Sequence, residues 1–247
     1  MGGHRVWSLM ISLFGDLAQG EADVIEGPAL SAIMDMMAVR PAASRVALHR
    51  LRNDGWISSQ KKGRISLHGL TDLGRQESEK ASPRIYADPD NAPDAWQMVL
   101  LEESNAATHE KLIKAGYVQL LPRLYCGAKS AEQPPTGLVL SSNSAPEWLR
   151  QQLAPQYLAV DYTALERCLS GLADTLPDAT DLSPVQNAAL RCLVVHNWRR
   201  IVLKHPPLPR QLISDDWSGL RCQRMVNLLL TDYPRPPLIG ITARKKR

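Results

Sequence analysis

"RPAASRVALHRLRNDGWISSQKKGRISLHGLT", residues 40–71, decides how the N-terminal third of this chain is read. Pro41 is suited to open a helix, because the N–H it lacks is one that a first turn leaves unpaired anyway. Ala43, Ala47 and Leu51 form an i, i+4, i+8 stripe with Val46 beside it, and Asp54 and Gly55 supply the stop. "WISSQ" and "RISLHGLT" are then short strand-like runs on either side of "KKG", which predicts a β-hairpin with a basic tip at Lys61, Lys62 and Arg64. If Ala43, Val46, Ala47 and Leu51 face inward, the 3.6-residue period turns Arg45, His49 and Arg52 to the opposite side. Arg50 shares a face with Val46 and is placed to pair with Asp54 at i+4.

Upstream, Val6, Leu9, Met10, Leu13, Phe14 and Leu17 fall on one face of an amphipathic helix, a spacing that outweighs the superficial likeness of the N-terminus to a secretory signal. Gly2 is followed by Val6 where a myristoylation signal needs Ser or Thr. Leu30, Ile33, Met34 and Met37 mark a second helix, with Pro28 in its first turn. After the hairpin Thr71 is a plausible N-cap for a charged helix, "TDLGRQESEKAS". Three helices followed by a two-stranded wing predict a winged helix-turn-helix over residues 1–83.

The charge distribution agrees with that reading. The chain carries a net charge of +4, yet residues 1–39 hold one basic and five acidic residues, whereas residues 40–64 hold seven basic and one acidic. Concentrated positive charge of this kind is what nucleic-acid binding requires. Arginine can donate two hydrogen bonds to guanine O6 and N7, and lysines on a wing can meet phosphates without reading sequence. The candidate DNA contacts are therefore Arg40, Ser44, Arg45, His49 and Arg52 on the helix, with Lys61, Lys62 and Arg64 on the hairpin. The alternative is a merely solvated basic face.

Residues 82–94, "SPRIYADPDNAPD", read as a linker. Beyond it "WQMVLLEE" reads as a strand, "NAATHEKLIKAG" as a helix, "YVQLLPRLYCG" and "GLVLSS" as strands, "APEWLRQQL" as a helix and "QYLAVDY" as a strand. That βαββαβ order predicts a ferredoxin-like domain over residues 95–161. Residues 162–247 read as a helical domain, so the expected class is α+β.

Apolar residues make up 44% of the chain and charged ones 22%, the balance of a soluble globular protein, with no apolar run long enough to span a bilayer. Cys126, Cys168, Cys192 and Cys222 are scattered, fitting neither a zinc site nor a disulfide scaffold and suggesting reduced thiols. The six histidines form no metal-ligand spacing, and no nucleophile elbow, phosphate-binding loop or dinucleotide fingerprint is present, so no cofactor and no catalysis are expected. The enzymatic alternative is a Cas2-like metal-dependent nuclease using Glu102 or Glu103 near the end of the first central strand.

"AVRPAASRVALHRLRNDGWIS" with its following wing and "LTDLG" resembles the PaaX family of bacterial repressors, Arg45, Arg50, Leu51, Gly55 and Trp56 falling on that family's pattern. "NWRRIVLKHPPLPRQLISDDWSG" is similar to a second, more unusual motif of the family, matched by Trp198, Arg199, Arg200, Pro206, Leu208, Pro209, Trp217 and Gly219. The central segment departs from it, having Pro93 and Asp94 where a tryptophan usually stands. The resemblance implies a cytoplasmic, homodimeric repressor of aromatic catabolism, typically of phenylacetate degradation. It implies a palindromic operator and release by an acyl-CoA such as phenylacetyl-CoA. A coenzyme A thioester needs cations for its phosphates and an apolar slot for its acyl group. Arg199, Arg200 and Lys204 are candidates for the first role, Trp198 or Trp217 for the second. Against this stands the reading that both tryptophans are core and the arginines solvated or paired. A winged-helix protein that binds DNA without any effector is the third reading.

Overall fold

The computed structural model describes residues 3–88, 95–103, 105–129, 131, 137–154, 156–205, 207–214 and 216–238. Their contacts form two compact units, one of Met1–Tyr86, Cys168–Arg200 and Met225–Arg247, the other of Ala87–Arg167 and Ile201–Arg224.

The first unit begins with α1 (Gly3–Leu17), β1 (Ile25–Glu26), α2 (Gly27–Met36) and α3 (Pro41–Asn53). The hairpin β2 (Ile57–Lys62) and β3 (Ile65–Leu70) follows, then α4 (Asp72–Ile85). The periodicity of α1 is realised in full: Val6, Leu9, Met10, Leu13, Phe14 and Leu17 are all buried, against Leu30, Ile33 and Met34 of α2 and Ala47 and Leu51 of α3. The short β1 pairs with β3, giving the antiparallel order β1-β3-β2.

Two turns hold α3 in place. Between α2 and α3, Ala38 takes a left-handed conformation at φ 56°, with Val39 N–H bonding Met34 O at 3.0 Å. At the other end Gly55, at φ 74°, stops α3, and Trp56 N–H bonds Leu51 O at 2.9 Å. This is the left-handed stop that glycine takes without penalty. Thr71 caps α4 by accepting from Gly74 N–H at 3.1 Å. Gly74 has no room for a side chain, since a Cβ there would lie 2.1 Å from Trp56 O.

The linker expected over 82–94 starts later than its composition indicated, and residues 89–94 lie outside the described set. Helix α4 runs through Pro83 to Ile85. Proline inside a helix removes a hydrogen bond, but tertiary contacts hold this last turn: Ile85 is buried, its carbonyl accepts from Trp198 Nε1 at 2.9 Å, and Tyr86 donates to Asp16 at 2.9 Å.

The second unit holds β4 (Trp96–Leu101), α5 (Ala106–Lys114), β5 (Val118–Leu121), β6 (Leu124–Ala128), β7 (Gly137–Ser142) and α6 (Glu147–Leu153). The strands form one antiparallel sheet in the order β5-β6-β4-β7. One face of it carries Val99, Leu101, Tyr117 and Tyr125 with Leu112 of α5. The other packs Trp96 and Cys126 on Leu149, Leu153 and Leu212.

Here the chain departs from the expected βαββαβ order. "YVQLLPRLYCG" is two strands joined at Pro122–Arg123, and "QYLAVDY" is a 3-10 turn, Gln156–Leu158, running into α7 (Ala159–Ala173). The run is apolar enough for a strand, but Leu158, Tyr162, Leu165 and Leu169, all buried, recur at helical spacing and draw it into α7. The observed order is βαβββα, and the class remains mixed α and β.

Helices α8 (Pro184–Val202) and α9 (Ser218–Asp232) complete the described chain. Ala188, Ala189 and Cys192 of α8 lie in the same core as α1. Beside them Arg191 grips the fully buried Asp16 with two hydrogen bonds of 2.9 Å and donates its third nitrogen to Leu230 O and Tyr233 O at 2.9 and 2.6 Å. Arg235 approaches the same carboxylate at 3.4 Å.

Candidate nucleic-acid interface

The outer surface of α3 is built by what its inner surface buries. Ala47 and Leu51 are sealed in the core, and Arg45, His49 and Arg52 are exposed on the other side, as the period requires. Arg40, just before the first turn, is exposed as well.

Two neighbours exchange the places expected of them. Val46, read as facing inward, is 62% exposed. Ser44, read as a DNA contact, is half-buried, and its hydroxyl is covered without a hydrogen-bond partner among the described residues. The buried arc of α3 spreads from Ala47 and Leu51 toward Ser44 and Leu48 rather than toward Val46, because α1 and α2 cover that side. A stripe of three residues defines a helix axis direction but not which flank is covered. The residue that sequence reasoning missed on the outer face is therefore Val46. Only its i+4 relation to Arg50, which is not fully covered, hinted at this.

Arg50 does pair with Asp54, at 3.4 Å, and its guanidinium stands 5.2 Å from the Trp7 ring, which in turn meets Trp56 edge-on at 6.2 Å. It anchors the end of α3 to α1. The hairpin carries exposed Lys61, Lys62 and Arg64, with Gly63 and Arg64 as the loop between the paired Lys62 and Ile65. Within it His68 is buried, hydrogen bonded to Ser59 at 2.7 Å, and its pKa is lowered by that burial and by the charge of Arg52. The charge of α3 thus reaches the hairpin. Among the described residues Arg40, Arg45, Arg52, Lys61, Lys62 and Arg64 have no carboxylate partner. They leave an uncompensated positive surface made from one helix and one hairpin, with hydrogen-bond donors suited to phosphate and to guanine edges.

The residues considered for an effector fall in both units. Trp198, Arg199 and Arg200 belong to the first unit, Lys204 and Trp217 to the second. Trp198 is 1% exposed and bonded to Ile85 O, a core residue. Trp217 stacks edge-on against Tyr162 and His205 at 4.9 and 5.6 Å. Lys204 pairs with Asp161 at 3.1 Å, and Arg200 is exposed. Arg199 touches Ser8 at 3.3 Å while its Nε is buried without a hydrogen-bond partner among the described residues. It borders a cavity of about 30 Å³ lined also by Ser12, Ser82 and Tyr86, room for a water or two. In the second unit an open cleft of about 750 Å³ is lined by Asn105, His109, Gln119 and Pro122. Glu102 and Glu103 are exposed, and no group of three His, Cys, Asp or Glu suited to a metal occurs among the described residues. The four cysteines are free, and no described helix is long and apolar enough to cross a membrane.

Residues 5–74 match the family model "PaaX-like protein" and residues 155–234 match "PaaX-like protein C-terminal domain". The chain is similar to Transcriptional repressor PaaX of Escherichia coli strain K12, at 27% identity over 238 residues, spanning 86% of this chain and 75% of that one. Among solved structures it resembles Uncharacterized protein Rv0674 from Mycobacterium tuberculosis, with a TM-score of 0.54 and 16% identity over 92% of this chain and 96% of that one. At that identity the likeness is one of fold alone.

Proposed function

The chain belongs to the PaaX family, and from that premise we propose that it is a transcriptional repressor that binds operator DNA through α3 and the β2–β3 hairpin. The observation that carries the proposal is the positive surface of Arg40, Arg45, Arg52, Lys61, Lys62 and Arg64 on α3 and the hairpin, cations with no carboxylate partner among the described residues, in a chain otherwise near neutral. In this reading the first 83 residues act as a winged helix-turn-helix. Arg45 and His49 meet base edges, while Arg40, Lys61, Lys62 and Arg64 meet phosphates. Ser44, its hydroxyl covered, packs rather than reads. The protein works as a cytoplasmic homodimer on a palindromic operator, two half-sites multiplying a modest single-site affinity. In the same reading the regulated genes are those of aromatic, specifically phenylacetate, catabolism and the releasing effector is an acyl-CoA such as phenylacetyl-CoA, a reading that the family resemblance supports. Arg199 and Arg200 are the candidates for its phosphates, and Trp198, sealed in the core, is set aside. The protein is a regulator and not an enzyme.

The test is a binding titration of the full chain on DNA from its own upstream region, with and without phenylacetyl-CoA. Specific binding released by the thioester is the expected result. Replacing Arg45 by Ala should relax base preference, whereas Lys61→Gln or Lys62→Gln should lower the salt slope by about one per lost phosphate contact. If neither change altered binding, the assignment of contacts would fail, and the absence of any specific binding would overturn the repressor reading.

A further inference from the structure

Val46 is the residue that the outer face of α3 does not explain. It lies in the second turn, one residue after Arg45 and three before His49, with its side chain 62% exposed among cations. Ala42, one turn earlier, is also exposed, so a narrow apolar lane runs beside the basic lane of Arg45, His49 and Arg52. An isopropyl group left mostly in water contributes little to folding, and valine is a poorer helix former than alanine. The position thus returns little to the fold.

In the proposed docking the first turns of a recognition helix face base edges. The apolar feature displayed in the major groove is the 5-methyl of thymine, and arginine on the same turn favours guanine O6 and N7. We propose that Val46 is a specificity-determining residue whose side chain packs on a thymine methyl, next to the base read by Arg45. The inference rests on the repressor reading above and adds to it the base chemistry of the half-site. Removing that methyl from the DNA, or the two methyls from the protein, breaks the same contact.

The experiment uses the full chain and a duplex selected by it from a random pool, with each thymine then replaced singly by uracil. At one thymine in each half-site the missing methyl should weaken the wild-type protein on the order of fourfold, the factor expected for one buried methyl-sized group. For Val46→Ala the same replacement should change affinity by less than about 1.5-fold, since the two losses are not additive when they remove one contact. Val46→Ala keeps the helix, alanine being the better former at an exposed site. Indifference of the wild-type protein to uracil at every position, or an equal penalty in both proteins, would overturn the role of Val46 and leave the repressor reading standing. Failure of the wild-type chain to enrich any sequence would overturn that reading and this inference together.

Discussion

Replacing Asp16 by Ala should cost more stability than any exposed change in this protein, and the structure says why. The carboxylate is fully buried and holds two Arg191 nitrogens at 2.9 Å each, the Tyr86 hydroxyl at 2.9 Å and Arg235 at 3.4 Å. Removing it leaves Arg191, only 4% exposed, with two carbonyls but no counter-charge. An uncompensated buried charge of this kind costs about 3–5 kcal/mol. Arg191→Ala removes the donors to Leu230 O and Tyr233 O as well, and leaves Asp16 to Tyr86 and the half-exposed Arg235. Its cost should be similar, about 3–4 kcal/mol. The double replacement leaves neither charge stranded, so it should cost less than the sum of the single changes by about 2–3 kcal/mol. Urea unfolding of the four proteins closes the cycle. Additive losses, or a loss below about 1 kcal/mol for Asp16→Ala, would refute the view that this pair joins α8 and the end of α9 to α1.

Burial, helped by the charges of Arg199 and Arg200, lowers the pKa of His196 from 6.5 to about 4. Between those values the unfolded chain binds the proton and the folded one does not, so stability is full above pH 6.5 and falls as pH drops toward 4, by roughly 3 kcal/mol from this group. Unfolding curves of His196→Gln at pH 7 and pH 4.5 should show a correspondingly weaker pH dependence than the parent, and an unchanged dependence would count against it. Ala38→Gly should raise stability by about 0.5–1 kcal/mol, because alanine at φ 56° carries a steric penalty that glycine lacks, and a lower melting temperature would contradict this. Gly74→Ala should destabilise by about 2 kcal/mol or more, since the added Cβ meets the Trp56 carbonyl and neither backbone segment can yield cheaply. A stabilised variant, as helix propensity alone would give, would show that contact to be soft.

Much of the first unit was legible because its signals are local. The α1 face, the Pro41 start, the Gly55 stop, the Thr71 cap and the hairpin each depend on residues within a turn or two of one another. The paired Arg50 and Asp54 were legible for the same reason. Reading failed where two local signals competed. "QYLAVDY" suits a strand or a helix, and the helical spacing of Tyr162, Leu165 and Leu169 beyond it decided the matter. Pro83 marks an ending in sequence, yet α4 continues because Ile85 and Tyr86 are held from α8 and α1.

The class of the fold, the helix and hairpin that present positive charge, and the identity of the cations there can all be read from the order of residues. That Ser44 turns inward and Val46 outward, that Trp198 is core, and that Asp16 meets a guanidinium 175 residues away emerge from the packed molecule alone. The division has one physical cause. Periodicity, caps and turns follow from short-range sterics and hydrogen bonds, whereas the flank of a helix that is covered, and the partner a buried charge finds, follow from packing between segments that sequence distance does not encode.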